Sequence, residues 1–522
     1  IRSGRITALL ICLIIFSLRL PVLGLAGLGD SEAYYWTWSK NLDLSYFDHP
    51  PAVAYMIRLG TSILGDTPFG VRVVPTLITT SSLFVVYLAG EALAGALAGL
   101  MSMLVLLAMP LFIVGGVAAA PDAPKALFTC LALLLFIKAR KISDGVKDDP
   151  AARFPVRADL CVIFAGLFFG LGFLAKYSTL MLLPGLVAAL LLTHNRRWWS
   201  RPSLYIGIAL CLAATLPVII WNARGGWASV TYHLVSRQGG AGLSFANLGK
   251  LLGGQIAYFS PFILTGFVLS VMAAWRARKT NPLPFEISLI GVPAVLFFYG
   301  VILVTPNAEP HWPLGGYLFL SVVLGWALAS ASKPVAATGL SLWHGLMDRW
   351  SPPVRFAVAG ALFYSLFIVL VAHVHILTPA FVKLMPASYN PKLDLVNELY
   401  GWDTAGEHIA KVYEKEKAGG GNPFLLGYHY TFCSQLMFST GAKIELQCLT
   451  HRRSQFNYFP EALKDLNGRT AVYVNDNRYT KTPDDLYYFD SCSKADRVDI
   501  ARGGHWTRGF DIYVCKGFRG MK

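Results

Sequence analysis

The sequence predicts an all-α polytopic membrane bundle followed by a small extracytoplasmic α/β domain, and three observations carry that expectation. Of 522 residues, 55% are hydrophobic and 14% charged, with a mean hydropathy of +0.50, a balance too apolar for a soluble chain of this length. Apolar segments of about 17–25 residues, enough to cross a hydrocarbon core, recur as far as residue 377. Beyond residue 379 the composition turns charged and mixed. The domains expected are therefore 1–378 in the membrane and 379–522 outside it.

The first apolar segment begins near Ile6, where Arg19 and Pro21 interrupt its end and no small-residue cleavage site is clear. It reads as a retained anchor rather than a cleaved signal peptide. Further spans are expected at 70–90, 92–114, 124–140, 158–175, 177–193, 203–221, 255–275, 285–305, 313–331 and 355–377. The total is about eleven helices, and up to about thirteen.

Loop charges orient the array. Arg2 and Arg5, then Lys138, Arg140, Lys141, Lys147, Arg153 and Arg157, then Arg196, Arg197 and Arg201, then Arg276, Arg278 and Lys279 fall on one side if the helices alternate. The positive-inside rule makes that side cytoplasmic. It also accounts for much of the net charge of +15, so the basic balance is no argument for nucleic acid as a partner.

The opposite side gathers the unusual residues. These are Asp30 to Arg58, Pro121-Asp122-Ala123-Pro124-Lys125, Lys176-Tyr177-Ser178, Asn222 to Lys250, and Asn307 to Pro313. Most telling is Gly29-Asp30-Ser31-Glu32-Ala33-Tyr34-Tyr35-Trp36, completed by Tyr46-Phe47-Asp48-His49-Pro50-Pro51. Ionisable groups at a bilayer boundary are costly and mark a working site by default. The plain alternative is that Asp30 and Glu32 cap a helix beginning at Ala33, since acidic side chains favour helix N-termini. Asp122 between prolines has its own plain reading, a turn, and the aromatics have theirs, an interfacial belt.

In the terminal domain an amphipathic stretch at Thr404–Lys417, a break at Gly419-Gly420-Gly421 and strand-like runs at Thr470–Val474 and Phe510–Val514 predict a mixed fold. Cys433, Cys448, Cys492 and Cys515 lie there, and Cys12, Cys130, Cys161 and Cys211 lie in apolar spans. In an oxidising compartment the four suggest two disulfides, with the pairing open. Zinc-site spacings are absent, as are a P-loop and a dinucleotide fingerprint.

The order Asp-x-Glu-Ala-Tyr-Tyr-Trp, Tyr-Phe-Asp-His-Pro-Pro, Pro-Asp-Ala-Pro, Lys-Tyr-Ser and Glu-Pro-His-Trp-Pro resembles the bacterial branch of the C-type membrane glycosyltransferases. That group includes protein O-mannosyltransferases and the transferases that add aminoarabinose or galacturonic acid to lipid A. The resemblance runs to about Tyr317, with a looser echo at Gly401-Trp402 and at the end of the chain. It implies a catalytic carboxylate in the first extracytoplasmic loop, a polyprenyl-phosphate sugar donor and inversion at the anomeric carbon. Two departures stand out. Ser31 separates Asp30 from Glu32, where the family usually has the two acids adjacent, so either carboxylate can hold the catalytic position, with Asp30 preferred. His49 stands where aminoarabinose transferases tend to have lysine.

Inverting displacement needs one placed carboxylate and cations to stabilise the departing phosphate. Asp30 or Glu32 supplies the first, with Asp122 orienting the acceptor or sharing a proton. Lys176, at interface depth, is the leading donor-phosphate ligand, with His49 as a further donor to phosphate and Arg58, Arg72 and Arg237 as lesser candidates for the donor or an anionic acceptor. Tyr34, Tyr35, Glu309 and His311 are the expected substrate contacts. A divalent cation bridging Asp30, Glu32 and phosphate is compatible with this set, but no metal ligand is assigned. The expected setting is the bacterial inner membrane with the terminal domain in the periplasm. The expected acceptor is lipid A or a related lipopolysaccharide, a protein acceptor being the runner-up. A lipid or polysaccharide transporter is the reading from another class; it calls for paired repeats and a midplane site, and the polar residues crowd one boundary instead.

Overall fold

The computed structural model describes residues 2–145, 155–234, 242–332, 350–386, 388–460 and 465–522. It is a helical membrane bundle with a C-terminal mixed α/β domain. Among the described residues, six helices are long and apolar enough to cross a membrane: Ser3–Val22, Pro68–Ala94, Val156–Ala175, Pro202–Arg224, Leu283–Val304 and Pro352–Leu377. Counting each of three bent pairs as one span raises this to nine, below the expected eleven.

The shortfall has local causes. The segment expected as one span at 92–114 breaks between Leu107 and Pro110 with a bend of 82°, because Pro110 cannot donate to the preceding turn. The one at 255–275 breaks at Ser260-Pro261 with a bend of 92°, Ser260 taking a positive φ of 69°. The one at 177–193 opens as 3-10 helix over Tyr177–Leu182 and turns by 93° after Leu192. Leu314–Ser330 is only 17 residues long and nearly all buried. It lies at the centre of the bundle, against Ala96–Leu107, Pro261–Ala277 and Leu283–Val304. A Cβ at Gly325 would sit 2.1 Å from Ser102 Oγ, so glycine is what lets these two helices touch.

The helix Asp122–Asp144 carries five charged residues besides Asp122 and falls outside the span count. Its Arg140, expected in a cytoplasmic loop, is instead buried and paired with Glu286, Nε to Oε2 at 3.1 Å. Asn195 donates to the same carboxylate at 2.7 Å. Lys147 and Arg153 lie outside the described residues.

The chain divides into two compact units. One comprises Ile1–Arg19, His49–Ala52 and Pro75–Leu370; the other comprises Leu20–Asp48, Val53–Val74 and Val371–Lys522. The first unit is the helical bundle. In the second, strands β1 (Phe424–Gly427), β2 (Leu446–Cys448), β3 (Ala471–Asp476), β5 (Ser491–Arg502) and β6 (His505–Lys516) form a sheet in the order β2-β1-β3-β6-β5. β1 runs parallel to β2 and β3, and β6 antiparallel to β3 and β5. β4 (Tyr487–Tyr488) and β7 (Gly520–Met521) make a separate pair.

β3 is buried at every position, as a central strand covered on both faces must be. Helices Trp402–Ala418 and Tyr430–Ser439 accompany the sheet. The first starts after Gly401, at φ +87°, where a Cβ would meet Ile500 at 2.7 Å. Cys492 and Cys515 face each other across β5 and β6 and form a disulfide. The second expected bridge is not formed: Cys433 and Cys448 are buried free thiols.

Candidate functional site

In the second unit, the first loop folds into the helix Asp30–Lys40, so the two acids sit within one turn of its N-terminus. They do different things. Glu32 Oε2 accepts the Gly29 N–H at 2.9 Å, the reciprocal half of a capping box. Its two oxygens also take Arg72 Nε at 2.8 Å and Nη2 at 2.6 Å. The other Arg72 hydrogens go to the carbonyls of Leu23, Ala26 and Gly27 at 2.9, 2.8 and 2.7 Å. A guanidinium has five N–H donors, and all are spent here.

Asp30 stays partly exposed and accepts one hydrogen bond, from Gln435 Nε2 to Oδ1 at 3.1 Å. Burial and the nearby Glu398 push its carboxyl up to about 6, against the opposing pull of Gln435, Arg508 and Arg478. A carboxylate that titrates near neutrality is suited to general-base work, and strong perturbation marks candidate functional groups.

Aromatic residues build the wall behind. Tyr34, expected against a sugar, is buried; its hydroxyl donates to Asp48 at 2.6 Å and accepts from Gln455 N at 2.7 Å. Its ring sits 4.6 Å from that of Tyr430 and edge-on to Trp38 at 4.9 Å. Both faces and the polar tip are engaged, which makes it a structural residue. Tyr35 is partly exposed beside Trp38, and Arg58 is exposed on the helix Ala52–Leu64.

In the first unit, Asp122 opens its helix and receives Lys176 Nζ at 2.6 Å. Lys125 Nζ lies 3.8 Å from Asp122 Oδ1 and His311 Nε2 lies 3.9 Å from Oδ2. Three of the sequence candidates, Asp122, Lys176 and His311, thus meet at one point. Lys176 is in extended conformation where the helix Val156–Ala175 stops and the 3-10 turn begins, which carries its side chain back to Asp122. The segment Glu309-Pro310-His311-Trp312-Pro313 is held by Gln255, which donates to Pro310 O at 2.7 Å. His49 lies near His233, ring centres 6.3 Å apart, and His233 contacts Tyr177. Glu309 is exposed and 3.8 Å from Lys250. Arg237 lies outside the described residues.

Sequence reading missed Gln435, Glu398, Arg478, Arg508 and Lys125. The first four come from segments with no motif, joined to Asp30 only by folding. Lys125 had a signal, three residues beyond Asp122 and therefore on the same helix face. Among the described residues, no three His, Cys, Asp or Glu side chains are grouped to hold a metal ion, and Glu32 is fully engaged by Arg72.

Residues 48–221 match the family model described as dolichyl-phosphate-mannose-protein mannosyltransferase. Lipid A galacturonosyltransferase RgtD of Rhizobium johnstonii is 24% identical over 300 residues, covering 57% of this chain and 60% of that protein. The undecaprenyl phosphate-alpha-4-amino-4-deoxy-L-arabinose arabinosyl transferase of Pseudomonas aeruginosa is 31% identical over 307 residues, covering 56% and 52%. The match thus spans little more than half the length of these curated relatives. The fold is that of ArnT from Cupriavidus metallidurans bound to undecaprenyl phosphate, with a TM-score of 0.61 at 16% identity and 97% of both chains covered.

Proposed function

As a relative of the C-type membrane glycosyltransferases, this chain, we propose, moves a sugar from a polyprenyl-phosphate donor to lipid A or a related lipopolysaccharide, with inversion, at the periplasmic side of the inner membrane. Asp30 is the base. It takes the proton of the acceptor hydroxyl as that oxygen bonds to the anomeric carbon, and the carbon–phosphate-oxygen bond breaks to release polyprenyl phosphate. The observation that carries this assignment is the split between the two acids: Glu32 is saturated by Arg72, whereas Asp30 is partly open and titrates near 6.

Within its own unit, Lys176 is the donor-phosphate ligand, with Asp122 holding its ammonium in place at 2.6 Å. An ammonium braced by a carboxylate gives a fixed positive charge for the leaving group without reorganisation in the transition state. The names of the relatives support the acceptor class; the sugar is left open between an aminopentose and a uronic acid.

The test is reconstitution in liposomes with polyprenyl-phosphate sugars, nucleotide sugars and lipid A, with products followed by mass. The expected result is lipid A heavier by one sugar residue, from a polyprenyl-phosphate donor only. Transfer from nucleotide sugars, or from no donor, contradicts the reading. The mannosyltransferase family match at 48–221 favours one alternative, a protein acceptor, which the same assay detects when a periplasmic protein extract replaces lipid A.

A further inference from the structure

The helix Tyr430–Ser439 belongs to the α/β fold, yet it packs against the Asp30–Lys40 helix within the second unit. Gln435, on its buried face and only 1% exposed, reaches the first loop. Its Nε2 donates one hydrogen to Leu28 O at 2.8 Å and the other to Asp30 Oδ1 at 3.1 Å. Both amide hydrogens are therefore used, one to fix the backbone before the helix and one to fix the carboxylate. Among the described residues no hydrogen bond engages Asp30 Oδ2.

We propose that Gln435 is a positioning residue for the transfer reaction: by holding Oδ1 it sets the carboxylate plane of Asp30 and leaves Oδ2 as the atom that takes the acceptor proton. The inference rests on Asp30 being the base.

The surrounding charges explain why an amide suits this place. Asp30 is faced by Glu398, by Arg478 and Tyr479 from the segment after β3, and by Arg508 from β6. Among the described residues neither arginine hydrogen-bonds Asp30, and Arg508 leaves its buried Nη1 without a hydrogen-bond partner. Arg478 Nη1 pairs with Glu398 at 2.7 Å, while Arg508 Nε lies 3.5 Å from Asp476 and over the Trp402 ring at 4.7 Å. A lysine at 435 would hold Asp30 ionised and weaken it as a base. A glutamate would add a like charge. The neutral donor orients the carboxylate with the smallest effect on its basicity, which is what general-base catalysis near neutral pH requires.

The test uses full-length protein in liposomes and reads the pH dependence of kcat. Gln435→Met keeps the volume and removes the donor; its acidic limb should move up by about one pH unit and kcat should fall roughly tenfold, with donor KM unchanged. Gln435→Lys supplies a charged donor, and its limb should move down by about as much. A merely structural role lowers thermal stability and leaves both limbs where the parent has them, and that result in either variant overturns the proposal. The underlying reading fails separately: an active Asp30→Asn protein removes the base itself. An inactive Asp30→Asn protein with unshifted limbs in the Gln435 variants overturns only the role of Gln435.

Discussion

Replacing Glu32 by Gln takes the negative charge away from an Arg72 guanidinium that is 6% exposed and makes five hydrogen bonds. Leaving such a charge uncompensated costs about 3–5 kcal/mol. Glu32→Gln should therefore unfold at clearly lower temperature in detergent, and a variant as stable as the parent would show that the pair is not structural. Asp30 predicts a different dependence, on pH. Its carboxyl is raised to about 6, so the ionised base is present above that value, and transfer should decline as pH falls through it; a rate flat from pH 5 to 8 contradicts this. Stability at this group runs the other way, because a raised carboxyl favours the native state while protonated and loses that contribution as pH rises through 6. The sequence offered a helix start as the plain alternative for both acids, and it preferred Asp30 as the base with no contact to separate it from Glu32. What separates them is Arg72, forty residues on, and Gln435, four hundred residues on, and no local pattern encodes either contact.

Helix breaks are the elements that matter most to the candidate site. Lys176 can reach Asp122 because the helix ends at Ala175 and the chain is extended for one residue before the 3-10 turn at Tyr177–Leu182; continued as α-helix, the residue would point elsewhere. Lys176→Met should raise the KM for the lipid donor roughly tenfold, the loss of a charge-assisted contact, while the protein still folds; an unchanged donor KM would contradict the assignment. Hydropathy alone shows long apolar runs and cannot show that Pro110, Pro261 and the turn after Leu192 divide them. For the same reason Leu314–Ser330 was legible as an apolar helix, but its central burial was not. In the terminal domain β3 and β6 were anticipated near Thr470–Val474 and Phe510–Val514, since β-branched and aromatic residues cluster there. The sheet order β2-β1-β3-β6-β5 was out of reach, because it depends on crossovers rather than on local composition.

At the scale of the molecule, the membrane class and the resemblance to C-type glycosyltransferases were both readable: apolar content fixes the first, and five short motifs in order carry the second. The helix count was not, because broken spans look continuous in one dimension. Nor was the grouping of the first loop with the terminal segment, Leu20–Asp48 with Val371–Lys522, in one compact unit. The role of Asp30 is tested most directly by single-turnover transfer to lipid A, with saturating polyprenyl-phosphate sugar and with folding verified by thermal unfolding. Asp30→Asn should bind donor and keep its fold while losing at least about 10²-fold in rate. An Asp30→Asn protein that transfers at the parent rate would contradict the claim that this carboxylate is the base.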